Sequence, residues 1–151
     1  MSTGKSDVKS VLKLTRLFKA PRERVFQAWT NPGEIREWWN LGEGWTVTIA
    51  EVDLRAGGRF RIGVRSAQNK AVHEVKGTYR EVIPAKKLVY TWVVEDPAVG
   101  DAETLVTVEF ITRGRHTELA LTHERLSEKS LHGTVEEGWK LVLGGLQRFL
   151  Q

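Results

Sequence analysis

The sequence predicts an α+β fold in which a curved antiparallel sheet of seven strands covers one long C-terminal helix. Three observations support this prediction. Apolar and polar residues alternate in seven segments, as they do in half-buried strands. Short turns join the last six of these segments, which is typical of an antiparallel meander. The final segment carries apolar residues at helical spacing, so the predicted order is one strand, two short helices, six strands and one helix (βααββββββα).

The first three predicted elements lie within the first 39 residues. Val8 to Phe18 alternates with period two and predicts a strand. Pro21 suits the first turn of a helix, and an apolar stripe follows it. Asn31-Pro32-Gly33-Glu34 then starts a second helix, because asparagine caps a helix and proline fits its first position. We expect this helix to span Pro32 to Trp39.

The middle of the chain predicts six strands in quick succession. On the second of them, Arg59, Arg61 and Arg65 alternate with apolar residues, so the arginines occupy one face and the apolar side chains the other. We expect the apolar face to point inward. The predicted strands are Trp45–Val52, Arg59–Val64, His73–Ile83, Leu88–Val94, Thr104–Ile111 and Thr117–His123.

The last predicted element is a helix from Glu128 to Leu150. Its apolar stripe includes Val135, Trp139 and Val142, which recur at spacings of three and four. An apolar sheet face needs a cover, and this helix is the only predicted element long enough to supply it. A seven-stranded sheet is wider than one helix, so large side chains or a cavity must occupy the remaining space.

Composition narrows the class of protein. With 151 residues the chain fits one domain, which we expect to span residues 1–151 with a flexible tail at 1–7. The chain has no cysteine, which excludes disulfides and thiolate metal sites. The sequence has no signal peptide and no apolar run long enough for a membrane span, so we expect a cytoplasmic protein. The net charge of +4 is modest and no nucleic-acid motif accompanies it, so no nucleic-acid partner is expected.

Five stretches carry a resemblance to a known family. Together they resemble the activator of heat-shock-protein-90 ATPase homologue family, within the START/Bet v 1-like helix-grip superfamily, over nearly the whole chain. The resemblance implies that the curved sheet grips the C-terminal helix and that a hydrophobic pocket lies between them. The stretches are LTRLFKAPRERVFQAWTNPGEIREWW (Leu14 to Trp39), VDLRAGGRFR (Val52 to Arg61), GTYREVIPAKKLVYTW (Gly77 to Trp92), LALTHERL (Leu119 to Leu126) and EEGWKLVLGGLQRFL (Glu136 to Leu150).

The resemblance leaves three functions open. Related proteins bind lipids, sterols, polyketides or plant hormones in the pocket, which implies a small-molecule binding or carrier protein with an apolar ligand. Some relatives are cyclases, so an enzyme of the cyclase or aromatase type is the second alternative. The co-chaperone that names the family implies a possible chaperone partner, but it uses an additional N-terminal domain. This chain has few residues before its first predicted strand, so we expect the first function, in a monomer or a weak homodimer.

Strand and helix periodicity supplies the candidate pocket residues. The stretch EIREWWNLGEGW holds three of the six tryptophans. Because a helix turns about 100° per residue, Trp38 and Trp39 are not expected to face one narrow stripe, and we place one of them at the pocket rim. His73, Tyr79 and His123 are the inward polar groups, which orient ligands in apolar pockets. The predicted ligand-binding residues are Trp38, Trp39, Phe60, Ile62, His73, Tyr79, Tyr90, Trp92, Phe110, Leu121, His123, Trp139, Val142 and Leu146.

The sequence predicts no catalytic residue, metal ligand or cofactor. It contains no nucleophile elbow, phosphate-binding loop or dinucleotide fingerprint. Its four histidines show no metal-ligand spacing. Each candidate also has a purely structural interpretation. The aromatic residues would belong to ordinary core packing, and a lone histidine would be a hydrogen-bonded structural side chain.

Overall fold

A computed structural model describes residues 10–39, 42–68, 70–95, 103–126 and 132–151. Within them the predicted order of elements is confirmed. The predicted tail at residues 1–7 and the first four residues of the predicted terminal helix lie outside the described residues. In chain order the elements are β1 (Ser10–Phe18), α1 (Arg22–Thr30), α2 (Pro32–Trp38), β2 (Trp45–Val52), β3 (Arg59–Ser66), β4 (Val72–Ile83), β5 (Lys87–Glu95), β6 (Thr104–Arg113), β7 (His116–Leu126) and α3 (His132–Phe149).

The seven strands form one curled antiparallel sheet in the order β1-β7-β6-β5-β4-β3-β2. The strands β2 to β7 form the predicted meander, in which each strand pairs with the next along the chain. The first strand, β1, pairs with β7, so it forms the edge of the sheet opposite β2. The helices α1 and α2 follow β1 and carry the chain from this edge of the sheet to the other. They lie with α3 on the apolar side of the sheet.

The apolar side chains of β3 point inward, as the alternation predicted. Phe60 and Ile62 are buried, whereas Arg59, Arg61 and Arg65 are exposed. Arg61 forms ion pairs with carboxylates on both neighbouring strands, at 3.4 Å and 2.7 Å. The arginine face is therefore a solvated outer surface with partly balanced charge.

The strand β7 continues beyond its predicted end at His123 to Leu126, and it contains a bulge near this end. Arg125 has a φ of 67°, a left-handed conformation, and the register with β1 shifts between Ser10 and Leu12. One extra residue in a strand reverses which side chains face inward after it. His123 and Leu126 are three residues apart, and both are buried because of this bulge.

The junction between α1 and α2 is capped as the sequence predicted. The Asn31 side chain accepts a hydrogen bond from the backbone N–H of Glu34 at 3.1 Å. The Glu34 carboxylate in turn contacts the Arg24 guanidinium at 2.6 Å. These contacts hold the two short helices together where the chain turns toward the sheet.

Trp38 and Trp39 are both buried, and the helix that was expected to include both of them ends at Trp38. Trp38 ends α2 and donates its indole N–H to the carbonyl oxygen of Ala28 at 2.8 Å. Trp39 already has an extended backbone, with φ of −73° and ψ of 116°, so the helical angle does not apply to it. The exposed fractions of Trp38 and Trp39 are 1% and 8%, and both belong to the core.

The terminal helix covers the sheet with its apolar stripe. Trp139, Val142 and Leu146 are buried, and Leu143 lies beside them. Arg16 on β1 reaches this helix and donates a hydrogen bond to Gln147 at 3.2 Å, which accounts for an arginine on the strand's apolar side. Among the described residues, no helix is long and apolar enough to cross a membrane.

Candidate ligand-binding cavity

A small cavity lies between the inner face of the sheet and the two short helices. The space open to the centre of a water molecule is about 20 Å³, which is enough for about one water. Four strands, α1, α2 and the residue after α2 contribute to its wall. The lining residues are Trp29, Ile35, Trp39, Val52, Phe60, Ile62, Tyr79, Tyr90 and Trp92.

Six of the fourteen predicted site residues line this cavity, and the sequence reasoning missed three others. The three missed residues are Trp29, Ile35 and Val52. Trp29 was visible in the apolar stripe of α1, but nothing local indicated that this helix faces the same space as β2–β5. The six predicted residues at the cavity are Trp39, Phe60, Ile62, Tyr79, Tyr90 and Trp92.

A connected set of aromatic rings surrounds the cavity and extends to α3. Trp139 of α3 stacks on Trp29, with ring centroids 6.2 Å apart and planes inclined by 13°. Its ring also lies 4.8 Å from that of Trp92. Trp92 contacts Trp39 in turn, at 6.1 Å. Each such pair contributes about 0.5–1.5 kcal/mol beyond its buried area, so the cluster holds α1, α3 and the sheet together.

Two tyrosines provide the polar groups of the cavity. Tyr79 on β4 and Tyr90 on β5 are direct cross-strand partners, and both are buried. Burial raises the pKa of each phenol well above its ordinary value, because the charged form loses its hydration. In the Tyr90 side chain, hydrogen bonding with Trp29 offsets part of this pKa increase. Both phenols therefore keep their protons near neutral pH and remain able to donate a hydrogen bond.

His123 lies behind the cavity wall and has a protein partner for each ring nitrogen. Its Nδ1 accepts the indole N–H of Trp139 at 3.0 Å. Its Nε2 is 2.7 Å from the hydroxyl oxygen of Thr104, which donates to the Trp92 carbonyl oxygen at 3.0 Å. Because Nδ1 accepts, Nε2 carries the proton and donates it to Thr104. Burial lowers the pKa of this imidazole to about 4.

This hydrogen-bond chain favours the structural reading of His123 over its predicted contact with a ligand. Neither ring nitrogen is left for another partner while the imidazole is neutral. These hydrogen bonds link α3 to β7, β6 and β5 through Trp139, His123, Thr104 and Trp92. They therefore fix two of the indoles that form or support the cavity.

The remaining predicted site residues lie away from the cavity. His73 packs against Trp45, with ring centroids 5.3 Å apart. Phe110 makes an edge-to-face contact with Phe26 at 5.4 Å. The other predicted residues that belong to the core without lining the cavity are Trp38, Leu121, Trp139, Val142 and Leu146.

The chemistry of the lining is that of a binding site for an apolar molecule. Seven of the nine lining side chains are hydrocarbon or indole, and the other two are phenols. The lining contains no carboxylate, imidazole or amine that would serve as an acid–base pair near neutral pH. Within the described residues, no group of three or more histidine and acidic side chains is placed to hold a metal ion.

Comparisons with known proteins agree with this architecture. A protein from Chromobacterium violaceum has 23% identity and a TM-score of 0.84, covering 93% of this chain and 96% of that one. A protein from Rhizobium leguminosarum has 26% identity and a TM-score of 0.82, with 94% of each chain covered. The AHSA1-like protein from Aeromonas hydrophila has 24% identity and a TM-score of 0.75, with 91% of each covered.

None of the curated proteins matches the chain in sequence. A family model does match, over residues 19–151, and its description is Activator of Hsp90 ATPase homolog 1-like protein. The curled sheet and its terminal helix form the helix-grip fold of the START/Bet v 1-like superfamily, in agreement with this match. The chain therefore belongs to the Activator of Hsp90 ATPase homolog 1-like protein family.

Proposed function

We propose that this protein binds a small apolar or aromatic molecule in the cavity between the sheet and the two short helices. The observation that carries the proposal is the lining itself, in which aromatic rings from several elements converge on two buried phenols. Ligand sites in proteins typically combine such an apolar wall with a few polar groups that set orientation. A carrier role is the simplest use of a site that has no acid–base pair in its lining.

Binding requires the cavity to enlarge. A cavity of roughly 150 Å³ is needed to hold a molecule such as benzene, whereas this one has about 20 Å³. Trp39 is the side chain that we expect to move, because it lies one residue beyond the end of α2, where the backbone is already extended. Its indole also lines the cavity directly. Displacement of this ring would add its own volume to the cavity.

The cost of this displacement sets the expected affinity. If only a small fraction of molecules have Trp39 displaced, the apparent dissociation constant increases by the inverse of that fraction. Removal of the ring abolishes this cost. We therefore expect Trp39→Ala to bind benzene-sized ligands at least about tenfold more tightly than the natural chain. Trp45→Ala is the matched control, because Trp45 packs against His73 outside the cavity.

The test is an NMR titration of the protein with fatty acids, sterols and flavonoid-like aromatic compounds. The proposal expects saturable shifts of the indole N–H signals of Trp29, Trp39 and Trp92. It also expects tighter binding by Trp39→Ala and unchanged binding by Trp45→Ala. Shifts confined to the outer arginine face of β3, or no shifts in any of the proteins, contradict the proposal.

Two other functions remain distinguishable from ligand binding. An enzyme of the cyclase or aromatase type would convert one of the bound compounds, which mass spectrometry of the titrated samples detects. A chaperone-interacting module would bind a chaperone partner whether or not the cavity is altered, so Trp39→Ala would leave that affinity unchanged. The family match supports testing the chaperone-interacting module. The lining has no acid–base pair, which argues against the enzyme.

A further inference from the structure

The phenol protons of the cavity have no acceptor among the residues that the structure describes. The exposed fractions of Tyr79 and Tyr90 are 5% and 4%, so water at the surface does not reach them freely. Within the described part of the chain, neither hydroxyl donates a hydrogen bond to a protein oxygen or nitrogen. Most buried polar side chains have a hydrogen-bond partner, and each exception needs an explanation. The described residues therefore supply no acceptor for these two protons.

The position of the two phenols suits one shared acceptor. Tyr79 and Tyr90 are opposite each other on adjacent strands, with ring centroids 5.7 Å apart. Both rings also pack against Phe60, at 5.6 Å and 5.1 Å, so all three rings form one corner of the wall. The indole N–H of the neighbouring Trp29 is a donor only, so it cannot accept the proton of Tyr90.

We infer that the cavity binds a neutral aromatic molecule with one carbonyl-type oxygen, which accepts hydrogen bonds from both Tyr79 and Tyr90. This inference rests on the proposed function and names the class of ligand for the same site. A carbonyl oxygen has two lone pairs, so it accepts both protons at once. The aromatic part of the ligand then packs against the surrounding indoles, in offset or edge-to-face contacts.

The charge of the site favours a neutral ligand. No lysine, arginine or histidine belongs to the lining, so a carboxylate or phenolate ligand would be buried without a counter-ion. Burial of an unpaired charge is far more costly than burial of a hydrogen-bonded carbonyl group. Burial raises the pKa of both phenols, so at neutral pH they are protonated and can donate hydrogen bonds to the ligand. A pure hydrocarbon would leave both protons unpaired.

The test compares two ligands of nearly the same shape, acetophenone and isopropylbenzene, in which a methyl group replaces the carbonyl oxygen. Dissociation constants are measured by NMR titration for the natural chain, Tyr79→Phe, Tyr90→Phe and the double variant. The measured quantity is the ratio of the two constants, because differences in ligand solubility and cavity opening cancel when this ratio is compared between variants. Each lost hydroxyl should reduce the preference for acetophenone about fivefold, and the double variant about 25-fold.

Phe60→Leu is the matched control. Phe60 contacts both tyrosine rings but has no hydroxyl, so this change should alter the affinity for both ligands and leave their ratio unchanged. Circular dichroism and thermal unfolding verify that each variant folds. The ratio of the two dissociation constants in the natural chain is an independent measurement, because it involves no substitution that could disturb the fold.

The outcomes separate this inference from the proposed function. If both ligands bind and their ratio is the same in the natural chain and the double variant, a water molecule satisfies the phenols. That result overturns the ligand class and leaves the binding function intact. If neither ligand binds, even in the enlarged cavity of Trp39→Ala, both the inference and the proposed function fail. A preference that decreases with each lost hydroxyl supports the inference.

Discussion

Protonation of His123 should break the buried hydrogen-bond chain that joins α3 to the sheet. In the neutral imidazole, Nδ1 accepts the indole N–H of Trp139 at 3.0 Å, and Nε2 lies 2.7 Å from the Thr104 hydroxyl oxygen. A second proton on the ring converts Nδ1 into a donor that faces another donor. The charged ring would also be buried, because the exposed fraction of His123 is 1%. The folded state therefore disfavours protonation.

The size of the effect follows from the pKa of His123. Burial lowers this pKa from 6.5 to about 4 in the folded protein. As the pH decreases below 6.5, the unfolded chain binds a proton at this site before the folded chain does, so the free energy of unfolding decreases. The loss is about 3 kcal/mol once the pH has fallen to about 4. Above pH 6.5 this contribution is constant.

Chemical denaturation of the natural chain and His123→Gln between pH 4 and pH 7 measures this loss. Glutamine does not titrate, while its amide can accept from Trp139 and donate to Thr104. Carboxylates titrate in both proteins, so the difference between the two curves isolates His123. We expect the natural chain to lose about 3 kcal/mol more than the variant. Parallel curves, or an NMR titration in which the His123 ring gains its proton near pH 6.5, would refute this account.

Two further predictions concern the strand β4 and the phenols. Gly77→Ala should destabilise the fold by about 3 kcal/mol, because a Cβ there would overlap the Thr91 carbonyl oxygen. Gly138→Ala, at an open position within α3, should stabilise it by about 1 kcal/mol, and equal effects in denaturation experiments would contradict both assignments. Tyr79 and Tyr90 are the only tyrosines, so phenolate absorbance should appear only when alkali unfolds the protein. Titration near pH 10 with the fold intact would show that the phenols are accessible.

Local signals were sufficient for the boundaries of most elements. The cap at Asn31 was visible because Asn31, Pro32 and Glu34 act on the adjacent helical turn alone. The inner face of β3 was visible because strand side chains alternate with period two whatever lies beyond the sheet. The end of β7 was not visible, since the bulge at Arg125 depends on pairing with β1.

The prediction for Trp38 and Trp39 assumed that both residues belong to α2. The 100° rule holds only while the chain remains helical, and α2 ends at Trp38. The rule therefore does not apply to this pair, although only Trp39 of the two lines the cavity. The two glycines that follow indicated an end nearby but did not fix the residue at which the backbone becomes extended.

The sequence by itself determined the class of fold, the order of elements, the inner faces of the strands and the resemblance to the family. These depend on periodicity and caps, which act over a few neighbouring residues. Only the tertiary structure decided the volume of the cavity, its lining by Trp29, Ile35 and Val52, and the hydrogen-bond partners of His123. The physical reason is that the volume of a cavity is a small difference between the space that the backbone encloses and the volume of the side chains that fill it. Side chains from distant segments set this difference where they meet. No local pattern along the chain contains that difference.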